Sequence, residues 1–167
     1  MPVSLFDYPR LRDKVFLRAT SSLPYATAIA INGRAVLLRG PSGAGKSDLA
    51  LRLIDEGAKL VADDQVELRR AGERILVSAP ATIAGLIEVR GIGILRVETV
   101  TEATLTMLVD LLPSAQIERF PETRLEQVLG LAVPTIRLSP FEASAAAKLR
   151  LALRVFSADP VPTIIRT

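Results

Sequence analysis

The sequence contains no cysteine and no histidine, and these two absences exclude several kinds of chemistry. Without cysteine there is no disulfide, no thiolate zinc site and no thiol nucleophile. Without histidine there is no imidazole base, no imidazole metal ligand and no phosphohistidine. Acid–base chemistry would therefore depend on carboxylates, and a bound metal would have oxygen ligands, which suit Mg²⁺.

Aromatic residues are scarce as well, at 4% of 167 residues with no tryptophan, so a core must be built mainly from aliphatic side chains. The length fits a single domain, and no repeat, linker or low-complexity segment divides the chain. We expect an N-terminal extension over residues 1–22 and one domain over residues 23–167.

Long hydrophobic runs are missing too, since nowhere do about 18 apolar residues follow one another. The first residues do not form a secretory signal, because Asp7, Arg10 and Asp13 interrupt their apolar residues. These features predict a soluble, cytoplasmic protein without a membrane partner. The net charge is +3, but basic residues alternate with acids and aromatics are few, which argues against nucleic acid and leaves an acidic protein as the alternative partner.

Residues 40–47 read GPSGAGKS, which matches the phosphate-binding loop pattern of Gly, four free positions and Gly-Lys-Ser or Gly-Lys-Thr. The glycines have no Cβ, so the backbone can adopt positive φ and turn its N–H groups towards a phosphate. Lys46 would reach the terminal phosphates, and Ser47 would offer its hydroxyl to Mg²⁺. The candidate nucleoside triphosphate site comprises Gly40, Pro41, Ser42, Gly43, Ala44, Gly45, Lys46 and Ser47.

The flanking sequence supports this interpretation. Residues 35–38 are an apolar run typical of a buried strand. Residues 47–56 have a helical pattern, with Leu49 and Leu53 on one face and Gly57 as the stop. The alternative is a glycine-rich turn before a helix with no ligand.

The rest of the chain predicts an α/β fold with a mixed sheet and few helices. Asn32-Gly33 is a strong hairpin signal between strands at residues 25–31 and 34–38. Ser139-Pro140-Phe141-Glu142 has the pattern of a helix start, with Ser139 as N-cap. Further strands are predicted at residues 59–62, 66–70, 74–78, 104–112 and 133–138, and the last helix continues over residues 143–156 until Pro160-Val161-Pro162.

Two acidic clusters could supply the other groups of a phosphoryl-transfer site, which needs a carboxylate for the metal and a proton acceptor for the attacking hydroxyl. Asp63 and Asp64 follow a predicted strand, and neighbours on a strand point to opposite faces, so both can face the phosphates only if the strand ends there. A solvated turn is the alternative for this pair. In the second cluster, Glu88 and Arg90 precede a Gly-x-Gly, for which a tight turn is the alternative.

Taken together, these segments resemble the catalytic domain of HPr kinase/phosphorylase, the bacterial enzyme that phosphorylates a serine of the phosphocarrier protein HPr and can remove that phosphate. The resemblance rests on GPSGAGKS, on Ala62-Asp63-Asp64, and on LIEVRGIGI at residues 86–94, which is similar to the family's signature. It covers residues 25–119 and extends more weakly to residue 138. It implies a P-loop-containing, phosphoenolpyruvate carboxykinase-like architecture, in the short form typical of alphaproteobacteria.

The resemblance also implies a role for each site residue. ATP would be bound by residues 40–47, and Mg²⁺ by Ser47 and Glu88. Lys46 would stabilise the transferred phosphoryl group. Asp64 would accept the proton of the protein serine, with Asp63 beside it near the metal. Arg119 is similar to a further active-site arginine of the family.

Two departures from the family concern the reverse reaction. Tyr25 stands where family members commonly have a histidine, and a tyrosine can form hydrogen bonds but does not carry that charge near neutral pH. Residues 138–142 stand in place of a loop with glycine, arginine and asparagine that is linked to dephosphorylation. The resemblance therefore supports the kinase direction more strongly than the phosphorylase direction.

The sequence thus predicts an ATP- and Mg²⁺-dependent protein serine kinase that acts on an HPr-like phosphocarrier protein and regulates carbohydrate or nitrogen metabolism. The resemblance also implies a homo-oligomer, often a hexamer in this family. Two alternatives stay open. One is an ATP-binding regulatory module without phosphotransfer, and the other is a kinase for a small metabolite.

Overall fold

The computed structural model describes residues 20–158, and neither of the two α-helices in that range is long and apolar enough to cross a membrane. The helices are α1 (Lys46–Asp55) and α2 (Ala145–Ser157). The strands are β1 (Thr20–Pro24), β2 (Ala26–Ile31), β3 (Arg34–Arg39), β4 (Lys59–Ala62), β5 (Gln65–Ala71), β6 (Arg74–Ser78), β7 (Leu86–Val89), β8 (Gly93–Arg96), β9 (Glu102–Leu111), β10 (Arg124–Val128) and β11 (Leu131–Leu138).

Most of these strands form one mixed sheet around β9. The strand order is β1-β5-β6-β9-β3-β2-β4, and β11, which carries β10 at its outer side, also pairs with β9. The strands β3 and β11 both run parallel to β9. Because parallel strands end at the same edge of a sheet, the segments that follow β3 and β11 come together there. The predicted phosphate loop is one of these two segments.

The core lies on both faces of the sheet, as the apolar run at residues 35–38 predicts. Ala35 and Leu37 pack into one buried cluster, and Val36 and Leu38 pack into the other. The second cluster also holds Leu49 of α1, so the predicted apolar face of the first helix is confirmed. A strand buried on both faces is a rigid support for the loop that follows it.

The structure confirms the Asn32-Gly33 turn, with β2 paired antiparallel to β3. Most of the expected extension, residues 1–19, and the helix stop at Pro160-Val161-Pro162 lie outside the described residues. The sheet, however, begins at Thr20, before the expected boundary at residue 23, because β1 pairs antiparallel with β5. Residues 86–96 form a separate two-stranded hairpin of β7 and β8.

The predicted helix start at Ser139 is wrong. Helix α2 begins at Ala145 with Ser144 as its N-cap, and residues 139–144 form a turn. The reason is a contact distant in sequence, because Pro140 is buried against the phosphate loop. A Cβ on Gly45 would lie 2.8 Å from Pro140 Cγ. Packing on the loop thus outweighs the local helix signal.

Candidate active site

A cleft of about 510 Å³ opens at the edge of the sheet where β3 and β11 end. It brings together residues that the sequence places far apart, from the phosphate loop, the acidic pair and the second cluster. The predicted site residues that line it are Tyr25, Ser42, Gly43, Gly45, Lys46, Ser47, Asp63, Asp64 and Glu88.

The phosphate loop has the backbone that an anion site requires. Gly43 and Gly45 have φ of 81° and 99°, values that side chains with a Cβ rarely adopt. Gly40 is needed for a different reason, because a Cβ there would lie 2.8 Å from the Cβ of Ala44. Helix α1 begins at Lys46, directly after the loop. The helix N-terminus and the loop therefore offer backbone N–H groups of the kind that bind anions.

Lys46 is a buried cation that lines this cleft. Its Nζ donates hydrogen bonds to the carbonyl oxygens of Gly40 at 2.7 Å and Pro41 at 2.9 Å. Burial lowers the pKa of Lys46 below its ordinary value, and the charges of Asp64 and Asp63 partly offset this effect. The ammonium group is thus held between the loop and the acidic pair.

Asp63 joins three elements of the site. Its Oδ1 accepts hydrogen bonds from Thr27 Oγ1 at 2.8 Å and Ser47 Oγ at 3.1 Å, and its Oδ2 accepts one from the backbone N–H of Glu88 at 3.3 Å. These bonds connect β2, α1 and β7 through one buried carboxylate. Because the Ser47 hydroxyl donates its hydrogen bond to Asp63, the lone pairs of its oxygen remain available for a cation.

Asp64 differs from Asp63 in both backbone and exposure. Strand β4 ends at Ala62, and Asp64 has φ of 64°, so the chain turns at the acidic pair and both aspartates line the cleft. Tyr25 lies opposite, also at positive φ (59°), and donates its backbone N–H to the Asp64 carbonyl at 2.8 Å. Such strained residues cluster at functional sites. The condition set by the sequence, that the strand must end there, is met.

The donor set suits Mg²⁺. Ser47 and Glu88 both line the cleft and offer a hydroxyl and a carboxylate oxygen. Proteins usually bind Mg²⁺ through one or two carboxylates together with substrate phosphates and waters. Within residues 20–158, no group of three or more acidic side chains is placed so that it could hold a metal ion. By the general preference of Mg²⁺, an ion at this place would be held partly by phosphate oxygens of a ligand.

The structure does not bring Arg119 to this cleft. Arg119 is exposed, and its guanidinium lies 5.2 Å from the centre of the Phe120 ring. Sequence reasoning also missed Thr27, a buried polar residue in an otherwise apolar strand, which is a signal that could have revealed it. The further lining residues are Asp48, Leu51, Val89, Arg90 and Phe141.

Comparisons with known proteins all point to one family. The profile of the HPr Serine kinase C-terminal domain matches residues 18–149. The HPr kinase/phosphorylase of Caldanaerobacter subterraneus subsp. tengcongensis is 43% identical over 111 residues, which are 64% of this chain and 36% of that relative. The HPr kinase/phosphorylase of Caldicellulosiruptor bescii is 37% identical over 124 residues, 67% of this chain and 40% of that relative.

A solved structure is similar over most of its length. The Hpr(Ser) kinase/phosphatase from Coxiella burnetii matches with a TM-score of 0.71 and 27% identity, over 80% of this chain and 94% of that chain. The match supports the mixed α/β fold with a curled sheet and two helices. The chain nevertheless spans only 36% and 40% of the length of the two curated relatives described above.

Proposed function

The chain belongs to the family of the HPr serine kinase C-terminal domain, and on that premise we propose that it is an ATP- and Mg²⁺-dependent kinase for a serine of an HPr-like phosphocarrier protein. One observation carries the proposal: a single cleft holds the phosphate loop, the buried Lys46 and the carboxylates of Asp64 and Glu88. The names of the relatives support the choice of protein substrate.

The phosphate loop and Lys46 would bind the triphosphate of ATP. Backbone N–H groups of the loop and the start of α1 would contact the phosphate oxygens. Lys46 would stabilise the negative charge of the phosphoryl group during its transfer. Ser47 and Glu88 would hold Mg²⁺, which neutralises phosphate charge when bound. Asp63 would keep Ser47 and the backbone of Glu88 in place through its three hydrogen bonds.

Asp64 is the better proton acceptor of the two aspartates. Asp63 is buried and already accepts three hydrogen bonds, whereas Asp64 is exposed on the cleft wall, where a serine side chain of another protein can reach it. Phosphoryl transfer has a loose transition state, so the nucleophile needs position more than strong activation. A carboxylate is sufficient for that task. Tyr25 lines the same cleft and would orient Asp64 or the incoming hydroxyl.

The test is a labelling experiment with matched substrates. The purified protein is incubated with γ-labelled ATP, Mg²⁺ and an HPr-like protein, or with the same HPr-like protein carrying Ala at its acceptor serine. We expect label on the first substrate and none on the second. Binding of ATP without transfer would favour a regulatory module instead, and label confined to a small molecule would favour a metabolite kinase. Arg119 stays a predicted active-site residue, which the same assay on Arg119→Ala tests.

A further inference from the structure

The cleft continues beyond the phosphate loop to an apolar wall that the proposed chemistry does not use. This wall consists of Phe141, in the turn after β11, and Leu51 on α1. The Phe141 side chain belongs to a residue that is 70% exposed, and Leu51 is 36% exposed. Aromatic residues make up only 4% of this sequence, and Phe141 is an exposed one that stands beside Gly45 of the phosphate loop.

The turn that carries Phe141 is held firmly although its ring is exposed. Pro140 is buried against Gly45, where a Cβ would also lie 3.0 Å from Phe141 Cζ. The guanidinium of Arg52 donates hydrogen bonds to the carbonyl oxygens of Pro140 and Glu142. Asp48 in turn accepts hydrogen bonds from Arg52 at 2.9 and 3.1 Å. The backbone that carries the ring is therefore held beside the start of α1.

We propose that Phe141, with Leu51 lining the same cleft, is the platform on which the nucleobase of the bound nucleotide stacks. This inference rests on the proposed function, because the phosphate loop must hold the other end of the same ligand. In a nucleoside triphosphate, the ribose links a planar base covalently to the chain of phosphates. The apolar wall adjoins the loop in one continuous cleft, as that covalent connection requires.

Stacking accounts both for the exposure of the ring and for the contacts that hold its backbone. An aromatic face left open in a ligand cleft gains free energy when a base covers it, typically about 1–3 kcal/mol. A ring on a held backbone loses less conformational entropy on binding than a ring on a mobile loop. Since every base has an aromatic face, this contact binds nucleotides without strong selection among bases. We therefore expect ADP and GDP to bind with dissociation constants within about tenfold of each other.

The test compares two ligands that share a diphosphate, of which only one carries a nucleoside. Dissociation constants of ADP and of inorganic pyrophosphate, each with Mg²⁺, are measured by calorimetry for the unaltered chain, Phe141→Ala and Phe120→Ala. Phe120 is a matched control, because it is 56% exposed and does not line the cleft. We expect Phe141→Ala to weaken ADP about tenfold, or more, and to leave pyrophosphate within twofold, since only the base loses its partner.

Each other outcome has a distinct meaning. Equal losses for ADP and pyrophosphate would show that Phe141 shapes the phosphate loop, and would overturn the stacking platform. Unchanged ADP affinity with a raised KM for the protein substrate would assign the ring to protein docking, and would also overturn it. Failure of the unaltered chain to bind pyrophosphate would contradict the phosphate site and thus the proposed function itself. Phe141→Trp should retain ADP affinity, which checks that a flat ring is what matters.

Discussion

Two charged clusters flank the phosphate loop. In one the charged groups are paired with one another by hydrogen bonds, and in the other they face open space. At the entrance of the loop, Arg39 donates to both oxygens of Asp110 at 2.8 and 3.1 Å and to both oxygens of Glu126 at 2.8 Å each. This cluster ties β3 to β9 and β10. At the other end, Asp64 and Glu88 face an open cleft.

The pKa of Arg39 reflects the closed arrangement. Burial, the largest single effect, disfavours the charge, yet the hydrogen bond to Glu126 and the charge of Asp110 together raise the pKa of Arg39 above its ordinary value. Lys46 in the cleft shows the opposite balance, since its pKa is lowered. A cation whose acidic partners are fully engaged stabilises the fold, whereas a cation left beside open space can bind a ligand. The comparison predicts that the first cluster governs stability and the second governs activity.

The largest effect should come from Lys46→Ala. Without this cation, nothing at that position stabilises the charge of the phosphoryl group in the transition state. The value of kcat/KM should therefore fall at least about 10³-fold, which corresponds to roughly 4 kcal/mol. The free energy of unfolding should stay within about 1 kcal/mol, because removing a desolvated ammonium offsets the two lost hydrogen bonds. Steady-state kinetics and urea titration measure both. Lys59→Ala, which removes an exposed lysine paired with Glu98, should change neither.

The second effect is that of Asp64→Asn. We expect kcat to fall about 10²–10³-fold, within the range for loss of a general base, with the dissociation constant of ADP unchanged. Asn suits this position because it tolerates positive φ at least as well as Asp, so the turn should be kept. Asp55→Asn on the exposed side of α1 is the control. Unchanged turnover in Asp64→Asn would remove it as the proton acceptor.

The third effect tests the closed cluster. Arg39→Met leaves Asp110 and Glu126 facing each other without their cation, and should lower the free energy of unfolding by about 3 kcal/mol. Arg39→Lys cannot form two bidentate pairs, but it keeps the positive charge. Its loss of unfolding free energy should therefore be smaller than that of Arg39→Met. Both variants should retain kcat/KM within a few fold at temperatures where they are folded. A large loss of activity in a fully folded Arg39→Met protein would break the division between the two clusters.

The smallest effect sharpens the role of Asp63. Thr27→Val keeps the shape of the side chain and removes one donor to the buried carboxylate, so both stability and activity should fall modestly, by about 1–2 kcal/mol each. Kinetics and denaturation of the same sample measure the two losses. Thr135→Val is the control, because its buried hydroxyl contacts a backbone carbonyl on β11 rather than the cleft. A loss of stability with no loss of activity would place Thr27 outside the site.

Several parts of the fold were not predictable from local patterns. Strand β10 was missed because its residues alternate weakly, with Leu125 exposed, and its turn is Leu129-Gly130 rather than an Asn-Gly signal. Leu129 adopts φ of 47° there and is nevertheless buried, so core packing outweighs backbone strain. The start of α2 was wrong for a similar reason, since Pro140 packs on Gly45 instead of opening a helix.

The sequence by itself determined the phosphate loop, the strand before it and the helix after it, because glycine torsions, an apolar run and helical periodicity act over a few neighbouring residues. It also predicted most residues of the cleft through the family resemblance. Only the tertiary structure decided that Asp63 holds Ser47 and Thr27, that Arg39 closes on two distant acids, and that Phe141 stands beside the loop. Those contacts join residues far apart in the chain, so they exist only once the strands of the sheet have been brought side by side.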